Sequence, residues 1–273
     1  MRPNTVRKIV FPVAGVGKRM RPLTLHTPKA LVPLRGRPLL DYALDEAYRS
    51  GMREAILVLG PKQKNHFARY LRAAKKRYPM LAFHLRFQRE PLGDGHAVLQ
   101  AADRIEAEPF AVRFCDDVIV SETPVLQSLL SFHYAYHAPV ILLERVPKKE
   151  VSRYGVVGIE RVQRRSAELP SGGFYRLTEI VEKPSPRRAP SNFVIIGGYI
   201  FTPEIFQNLK KIADALPQPG YGELRLAVAL QIEFLKKGKV YGWEFIGTRL
   251  DCGTIESLRK GEHILAKLDS QAS

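Results

Sequence analysis

Cysteine is scarce in this chain: Cys115 and Cys252 are the only two among 273 residues. Two thiols without metal-ligand spacing exclude a disulfide framework and a thiolate metal site, and they fit a reducing compartment. Long apolar runs are also missing. The one behind the basic N-terminus is broken by Pro12 and by glycines, and none approaches the ~18 residues of a membrane span. A soluble, unexported, cytoplasmic protein is therefore expected. Acidic residues are few, 27 against 43 Lys plus Arg, for a net charge of +16. Such a balance favours polyanionic ligands, but its sign does not choose among phosphorylated metabolites, nucleic acid and acidic membrane surfaces. The familiar phosphate loops are absent as well: position 12 is Pro where a Walker A loop needs glycine, Arg19 follows Lys18 where it needs Ser or Thr, and no GxGxxG occurs.

What is present centres on residues 8–34, KIVFPVAGVGKRMRPLTLHTPKALVPL. Residues 9–13 are apolar and β-branched enough for a buried strand, and Gly15 and Gly17 behind it allow positive φ and close backbone approach to a ligand. Backbone amides from Ala14 onward can face an anion there. Arg19 adds a fork of donors suited to phosphate oxygens, and Lys29 a compact charge from the same loop. Together they read as a site for a nucleoside triphosphate, with a solvated basic loop as the competing reading.

Apolar runs alternate with helical patterns through the first half, which predicts βαβ units and a largely parallel sheet. Strands are expected at 9–13, 55–59, 82–87, 110–114 and 140–145, and helices at 39–50, 66–77, 96–102 and 124–136. Open sheets of this kind bind ligands beyond the carboxyl ends of their strands, where the glycine turn lies. From Tyr154 onward the pattern changes to Gly- and Pro-punctuated strands at 155–161, 174–182 and 193–201, joined by charged loops at 162–172 and 184–191. A helix at 223–236, a strand at 240–246 and a helix at 255–268 complete one domain. Residues 61–79 carry seven basic and no acidic residues around Phe67, Leu71 and Ala74. That spacing predicts an amphipathic surface helix with a solvated basic face, with a polyanion site as the alternative.

Carboxylates end two later runs. Asp116 and Asp117 close the strand at 110–114, where adjacent carboxylates suit Mg²⁺ or an Asx-type turn. Asp251 precedes Gly253 and Thr254, and could complete a metal site or cap the last helix. Glu182 and Lys183 end a strand, on opposite faces if it is regular, with a sugar phosphate or a surface ion pair as their use. Gln88 and Gly93 lie in a loop where an amide can pair with the donor and acceptor edge of a pyrimidine. His96 lacks a nearby nucleophile or second His and reads as a packed or surface residue.

In this order the segments resemble the bacterial sugar-1-phosphate nucleotidyltransferases, most closely the UTP:glucose-1-phosphate uridylyltransferases. The likeness covers about the whole chain. The loop at 8–34 is similar to the nucleotide loop, QREPLGDGHAVLQA to the base-binding segment and FCDDVIV to the metal-binding strand end. YGVVGIE, IVEKP, PSNFVIIGGYIFTPEIF and RLDCGTIESL match the sugar side and the second metal carboxylate.

The resemblance implies a Rossmann-like three-layer α/β/α sandwich, with a mostly parallel central mixed sheet and a smaller sugar-side β elaboration. Residues 1–145 would form a nucleotide-binding half, and 146–273 a sugar-binding half with the C-terminal helix. It implies UTP and glucose 1-phosphate as substrates, Mg²⁺ as cofactor and a homodimer or homotetramer, with neither membrane nor nucleic acid as partner. Ala14, Gly15, Gly17, Lys18, Gln88 and Gly93 would bind the nucleotide; Arg19, Lys29 and Lys183 would be catalytic. Gly155, Glu182, Lys183 and Asn192 would hold the sugar phosphate, and Asp116 and Asp251 the metal. Three features depart from the family pattern. Lys18 stands where Thr is usual, PLTLHTPKALVPL is closer to thymidylyl and mannose-type relatives, and GELRLAVAL has Ala227 and Val228 in place of Thr-Asp. Another nucleoside triphosphate such as dTTP, or a non-catalytic nucleotide-sugar-sensing role, are the rival readings.

Overall fold

The computed structural model describes residues 5–215 and 223–272. In chain order the elements are β1 (Lys8–Pro12), β2 (Pro33–Leu34), β3 (Arg37–Pro38), α1 (Leu39–Arg49), β4 (Glu54–Leu59), α2 (Lys64–Arg77), β5 (Ala82–Phe87), α3 (Asp94–Leu99), α4 (Ala102–Ile105), β6 (Phe110–Arg113) and β7 (Asp117–Val120). There follow α5 (Val125–Tyr136), β8 (Val140–Arg145), β9 (Gly155–Arg161), β10 (Phe174–Glu182), β11 (Phe193–Phe201), α6 (Glu204–Ala215), α7 (Leu226–Lys237), β12 (Tyr241–Glu244), β13 (Thr248–Asp251) and α8 (Ile255–Ala272).

Strand β1 reads as a continuous apolar run because both of its faces are covered. Ile9 and Phe11 join one buried cluster with Leu40 and Leu44 of α1, Phe67 and Leu71 of α2, and Leu129 and Phe132 of α5. Val10 points the other way, into a cluster with Ala97 of α3, Ile205 and Leu209 of α6, and Leu230 of α7. Helices therefore pack on both faces of one mixed sheet, whose order is β5-β4-β1-β6-β11-β8-β12-β10-β9. No helix among the described residues is long and apolar enough to cross a membrane.

The parallel block expected from the βαβ pattern covers β5, β4, β1 and β6. Beyond it, β11 lies antiparallel between β6 and β8, β12 runs parallel to β8, and β10 is antiparallel to β12 and β9. Periodicity could not reveal this, since a buried strand looks the same in either direction. Two glycines make the insertion of β11 possible. Its register steps from Ile195 opposite Leu143 to Tyr199 opposite Ile141, a bulge that contains Gly197 and Gly198. A Cβ on Gly197 would lie 2.5 Å from the Phe114 Cβ.

Three further differences have local causes. Residues 204–215, for which the sequence pattern assigned no element, form α6, and Phe206 stacks on Phe110 with ring centroids 4.9 Å apart. Helix α7 starts at Leu226 rather than 223, because Leu224 is held in a backbone pairing: its N–H donates to Leu92 O at 2.7 Å, and its carbonyl accepts from Gly95 N at 2.8 Å. The strand expected at 240–246 is β12, which stops at Glu244, and β13 at Thr248–Asp251 is a further strand that the pattern did not predict. Strand β13 leaves the sheet to pair with β7 in a separate antiparallel ribbon, with Asp251 opposite Asp117.

Candidate active site

The loop after β1 is fixed from within. Gly17 has φ 66°, and a Cβ there would meet Thr24 Cγ2 at 2.9 Å and Lys29 Cβ at 3.1 Å. Thr24 Oγ1 donates to the Gly17 carbonyl at 2.8 Å, so this glycine seats the turn directly on the stem of Lys29. Gly15 behaves differently. Its φ is outside the left-handed region, and its missing Cβ faces no atom within 4 Å. Of the two glycines that allow positive φ, only Gly17 uses it, and Gly15 contributes open space. Lys18 and Arg19 sit in a short 3-10 turn pinned by buried Met20, with both side chains exposed.

Beside this turn is a cleft of about 430 Å³, lined by Ala14, Gly15, Arg19, Lys29, Gln88, Gly93 and Asp116 among others. Three separated loops converge there. Lys29 Nζ forms an ion pair with Asp116 Oδ2. Burial opposes the Lys29 ammonium, yet Asp116 more than offsets it and holds its pKa above the usual lysine value. Burial likewise opposes the Asp116 carboxylate, and Lys29 wins, holding it below the usual carboxylate range. Both groups are charged at neutral pH. Cys115, also on the cleft, has its thiol pushed up to about 12 by burial and the neighbouring Asp116. It remains protonated and is no nucleophile.

On the opposite wall, buried Gln88 donates through Nε2 to the Gly93 carbonyl at 2.9 Å, and the same nitrogen lies 3.1 Å from His96 Nδ1. That bond orients the amide and leaves its Oε1 without a protein donor among the described residues. His96 is therefore packed, and it steadies Gln88. Gly93 has φ 103°, and a Cβ there would come 2.6 Å from the Leu224 carbonyl. Asp94 accepts from Gly95 N at 2.7 Å and Leu226 N at 3.0 Å. Burial keeps its carboxyl above the ordinary range despite these bonds.

Asp251 does not line this cleft. It borders a second one of about 280 Å³ with Glu144, Arg153 and Arg249. Its Oδ1 accepts from Gly253 N at 2.9 Å and its Oδ2 from Arg153 at 3.3 Å. The two carboxylates nevertheless occupy one end of one ribbon, since Asp116 O accepts from Cys252 N at 2.8 Å. Arg19 reaches the same spot: a Cβ on Gly253 would lie 2.9 Å from Asp251 Oδ1 and 3.4 Å from Arg19 Nη2. No group of three or more His, Cys, Asp or Glu among the described residues is arranged to hold a metal. Asp117 is committed elsewhere: it accepts from Gly197 N at 2.9 Å and from Arg249 Nε at 2.6 Å. A role for it as half of an adjacent metal pair is thereby corrected.

Glu182 and Lys183 do not point to opposite faces. Lys183 has φ 48°, and its Nζ turns back to 3.9 Å from Glu182 Oε1. Gly155 pairs with Glu182 across β9 and β10, and a Cβ on it would stand 3.2 Å from Glu182 Oε2 and 3.7 Å from the Ala227 Cβ. Asn192 precedes β11, and its carbonyl accepts from Val146 N at 3.0 Å. Gly17, Lys18, Gly155, Glu182, Lys183 and Asn192 all lie outside the lining of the first cleft.

Sequence reasoning missed several supporting arginines. Arg113 is 2 % exposed in β6, bonds to Glu46 at 3.2 Å, and donates to the carbonyls of Gly197 and Asp117. An arginine inside the apolar run AVRFC was the available signal. Arg249 bridges Asp117 and Glu144, and those two carboxylates raise its pKa against burial.

A family model described as nucleotidyl transferase matches residues 9–267. The chain belongs to the nucleotidyl transferase family. It is 33% identical over 91% of its length to the UTP–glucose-1-phosphate uridylyltransferase YngB of Bacillus subtilis (strain 168), covering 85% of that protein. It is 31% identical to a UTP–glucose-1-phosphate uridylyltransferase of Pseudomonas aeruginosa, with 92% of each chain covered. Among solved structures, a UDP-glucose pyrophosphorylase complexed with UDP-glucose superposes with a TM-score of 0.83 at 30% identity, covering 96% of this chain and 99% of the other.

Proposed function

We propose that this nucleotidyl transferase makes UDP-glucose and pyrophosphate from UTP and glucose 1-phosphate. The observation that carries the reading is the convergence of Arg19, Lys29, Asp116 and Gln88 from separate loops on one cleft beside an open glycine turn. The named activities of the relatives supply the substrates. Uracil presents an N3 donor between two carbonyls, and the unsatisfied Oε1 of Gln88 is an acceptor suited to that donor. The triphosphate then lies along Ala14, Gly15 and Gly17, with Arg19 and Lys18 toward its outer phosphates and Lys29 toward the α-phosphate.

A sugar phosphate has a second pKa near ~6, so it is largely a dianion at neutral pH and needs no general base. Its oxygen attacks the α-phosphorus, a new P–O bond forms there, and the bond to the β-phosphate's bridging oxygen breaks as pyrophosphate departs. Lys183 orients the attacking phosphate, Glu182 accepts from sugar hydroxyls, and Gly155 and Asn192 shape that end. Positioning and charge neutralisation supply the catalysis. A divalent cation fits the donor chemistry: Mg²⁺ uses one or two carboxylates and completes its shell with phosphate oxygens and water. Asp116, ionised and already facing a cation, and Asp251 across the ribbon would hold it, and when bound it offsets charge on the phosphates.

The test is a pyrophosphate-release assay pairing UTP, dTTP and CTP with several hexose 1-phosphates in the presence of Mg²⁺. Turnover highest with UTP and glucose 1-phosphate is expected. No turnover with any pair would overturn the reading, and a preference for dTTP would correct the base.

A further inference from the structure

Outside the first cleft, one charged side chain connects the two regions assigned above to nucleotide and sugar. Arg225 sits just ahead of α7, and its fork is divided. Nη1 pairs with Glu182 Oε1, and Nη2 pairs with Glu223 Oε2 at 2.7 Å. Glu223 lines the nucleotide-side cleft, whereas Glu182 ends β10 on the other side. The segment that carries Arg225 is fixed. Leu224 exchanges backbone hydrogen bonds with Leu92 and Gly95, and the buried Asp94 carboxylate accepts from Leu226 N at 3.0 Å. Arg225 is thus held by the same loop that presents Gln88 and Gly93.

The two oxygens of Glu182 differ in consequence. Oε1 is taken by Arg225, with Lys183 Nζ 3.9 Å away. Oε2 has no protein donor among the described residues and faces the space kept open at Gly155, 3.2 Å from where a Cβ would stand. Ile195 and Ala227 border that space at 3.6 and 3.7 Å. A carboxylate on its own rotates freely about its last torsion. Clamped at one oxygen by a guanidinium, it presents the other in a fixed direction.

We propose that Arg225 is a positioning residue for sugar recognition: by holding Glu182 Oε1 it aims Oε2 over Gly155 as an acceptor for a hydroxyl of the bound sugar. The inference rests on the proposed function, because it assumes that the space over Gly155 takes the sugar. Lysine at this position would keep the charge but lose the divided fork, so Glu182 would be held without the bond to Glu223. Alanine would release Glu182 altogether.

Calorimetric titration of the whole protein with UDP-glucose and with UDP separates the sugar's contribution to binding from the nucleotide's, whether or not the protein turns over. The wild type should bind UDP-glucose more tightly than it binds UDP. Arg225→Ala should weaken UDP-glucose about fivefold or more while leaving UDP within about twofold, and Arg225→Lys should recover part of the loss. Glu182→Gln should remove the same increment, and the Arg225→Ala, Glu182→Gln double variant should lose no more than Glu182→Gln alone. Equal weakening of both ligands would mean a merely structural role and would overturn the proposal. So would an unchanged UDP-glucose affinity in Arg225→Ala, losses that multiply in the double variant, or a wild type that gains nothing from the glucose. Wild-type turnover is read separately by pyrophosphate release. A silent enzyme with an intact Arg225 effect sinks the activity and spares the positioning, and an active enzyme indifferent to Arg225→Ala does the reverse.

Discussion

Replacing Lys29 by methionine keeps its stem packed against Gly17 and removes only the charge facing Asp116. The side chains of Lys29 and Asp116 retain 17% and 27% of their exposure. Breaking a fully buried ion pair by deleting one partner costs about 3–5 kcal/mol, and the water that reaches this pair lowers the figure to about 2–3 kcal/mol. In a chain of this size, ~1 kcal/mol moves the melting temperature by roughly 2–4 °C, so Lys29→Met should melt about 4–12 °C lower near neutral pH. The pH dependence follows from the directions of the shifts. In the wild type Asp116 lies below the usual carboxylate range. Its contribution is therefore full above the unfolded value of about 4 and is lost as pH falls through the lower folded value. Lys29 lies above the usual lysine value, so its contribution is full below about 10.4 and is lost as pH rises through the folded value. Without Lys29, only a backbone hydrogen bond and the charge of Arg249 still oppose burial, so the Asp116 pKa moves up from its wild-type position, and acid protonates it and relieves the variant. The gap in melting temperature should be widest near pH ~7 and narrow toward pH ~4.5, measured by scanning calorimetry. Turnover in the pyrophosphate assay should fall about a hundredfold or more. A gap that stays constant across that range, or turnover within about threefold of wild type, would refute the assignment of Lys29 to both the pair and the α-phosphate.

Three other outcomes are expected. Gly17→Ala forces a left-handed φ on alanine and a 2.9 Å contact with Thr24 Cγ2, so thermal unfolding should show a loss of about 1–3 kcal/mol. Gln88→Leu should raise the KM for UTP about tenfold and leave that for glucose 1-phosphate unchanged in initial-rate assays, because the acceptor proposed for the base is removed. Arg249→Met leaves Asp117 and Glu144 without their shared cation, and with Arg249 only 7% exposed, chemical denaturation should register a loss of about 2–4 kcal/mol. Burial already raises the Glu144 carboxyl above its ordinary range, so this loss should shrink as pH falls and Glu144 takes a proton.

What could be read from the sequence was local. The apolar run before the glycine turn and the strands at 82–87, 140–145, 155–161, 174–182 and 193–201 agree with the observed elements, because periodicity and turn chemistry act over a few residues. The β7–β13 ribbon escaped notice since its two strands have four residues each and pair across the sequence from Asp117 to Asp251. The different fates of Asp116 and Asp117 were equally hidden, as adjacent side chains alternate and only the fold shows which one meets Lys29 and which meets Arg249. Arg225 lies within GELRLAVAL, but nothing in that segment gave it a role. Its partners Glu182 and Glu223 become neighbours only when β10 and the start of α7 meet.

Because β13 joins β7 from so far along the chain, the cleft and its ribbon have different birthdays. During synthesis every residue that lines the first cleft, Glu223 being the last of them, leaves the ribosome before residue 251 does, so a nascent chain can assemble the Lys29–Asp116 pair while the ribbon's second strand is still unmade. On the proposed function, affinity for the nucleotide and completion of the carboxylate end are then separable in time, and a polypeptide stalled between the two would bind the triphosphate without turning it over.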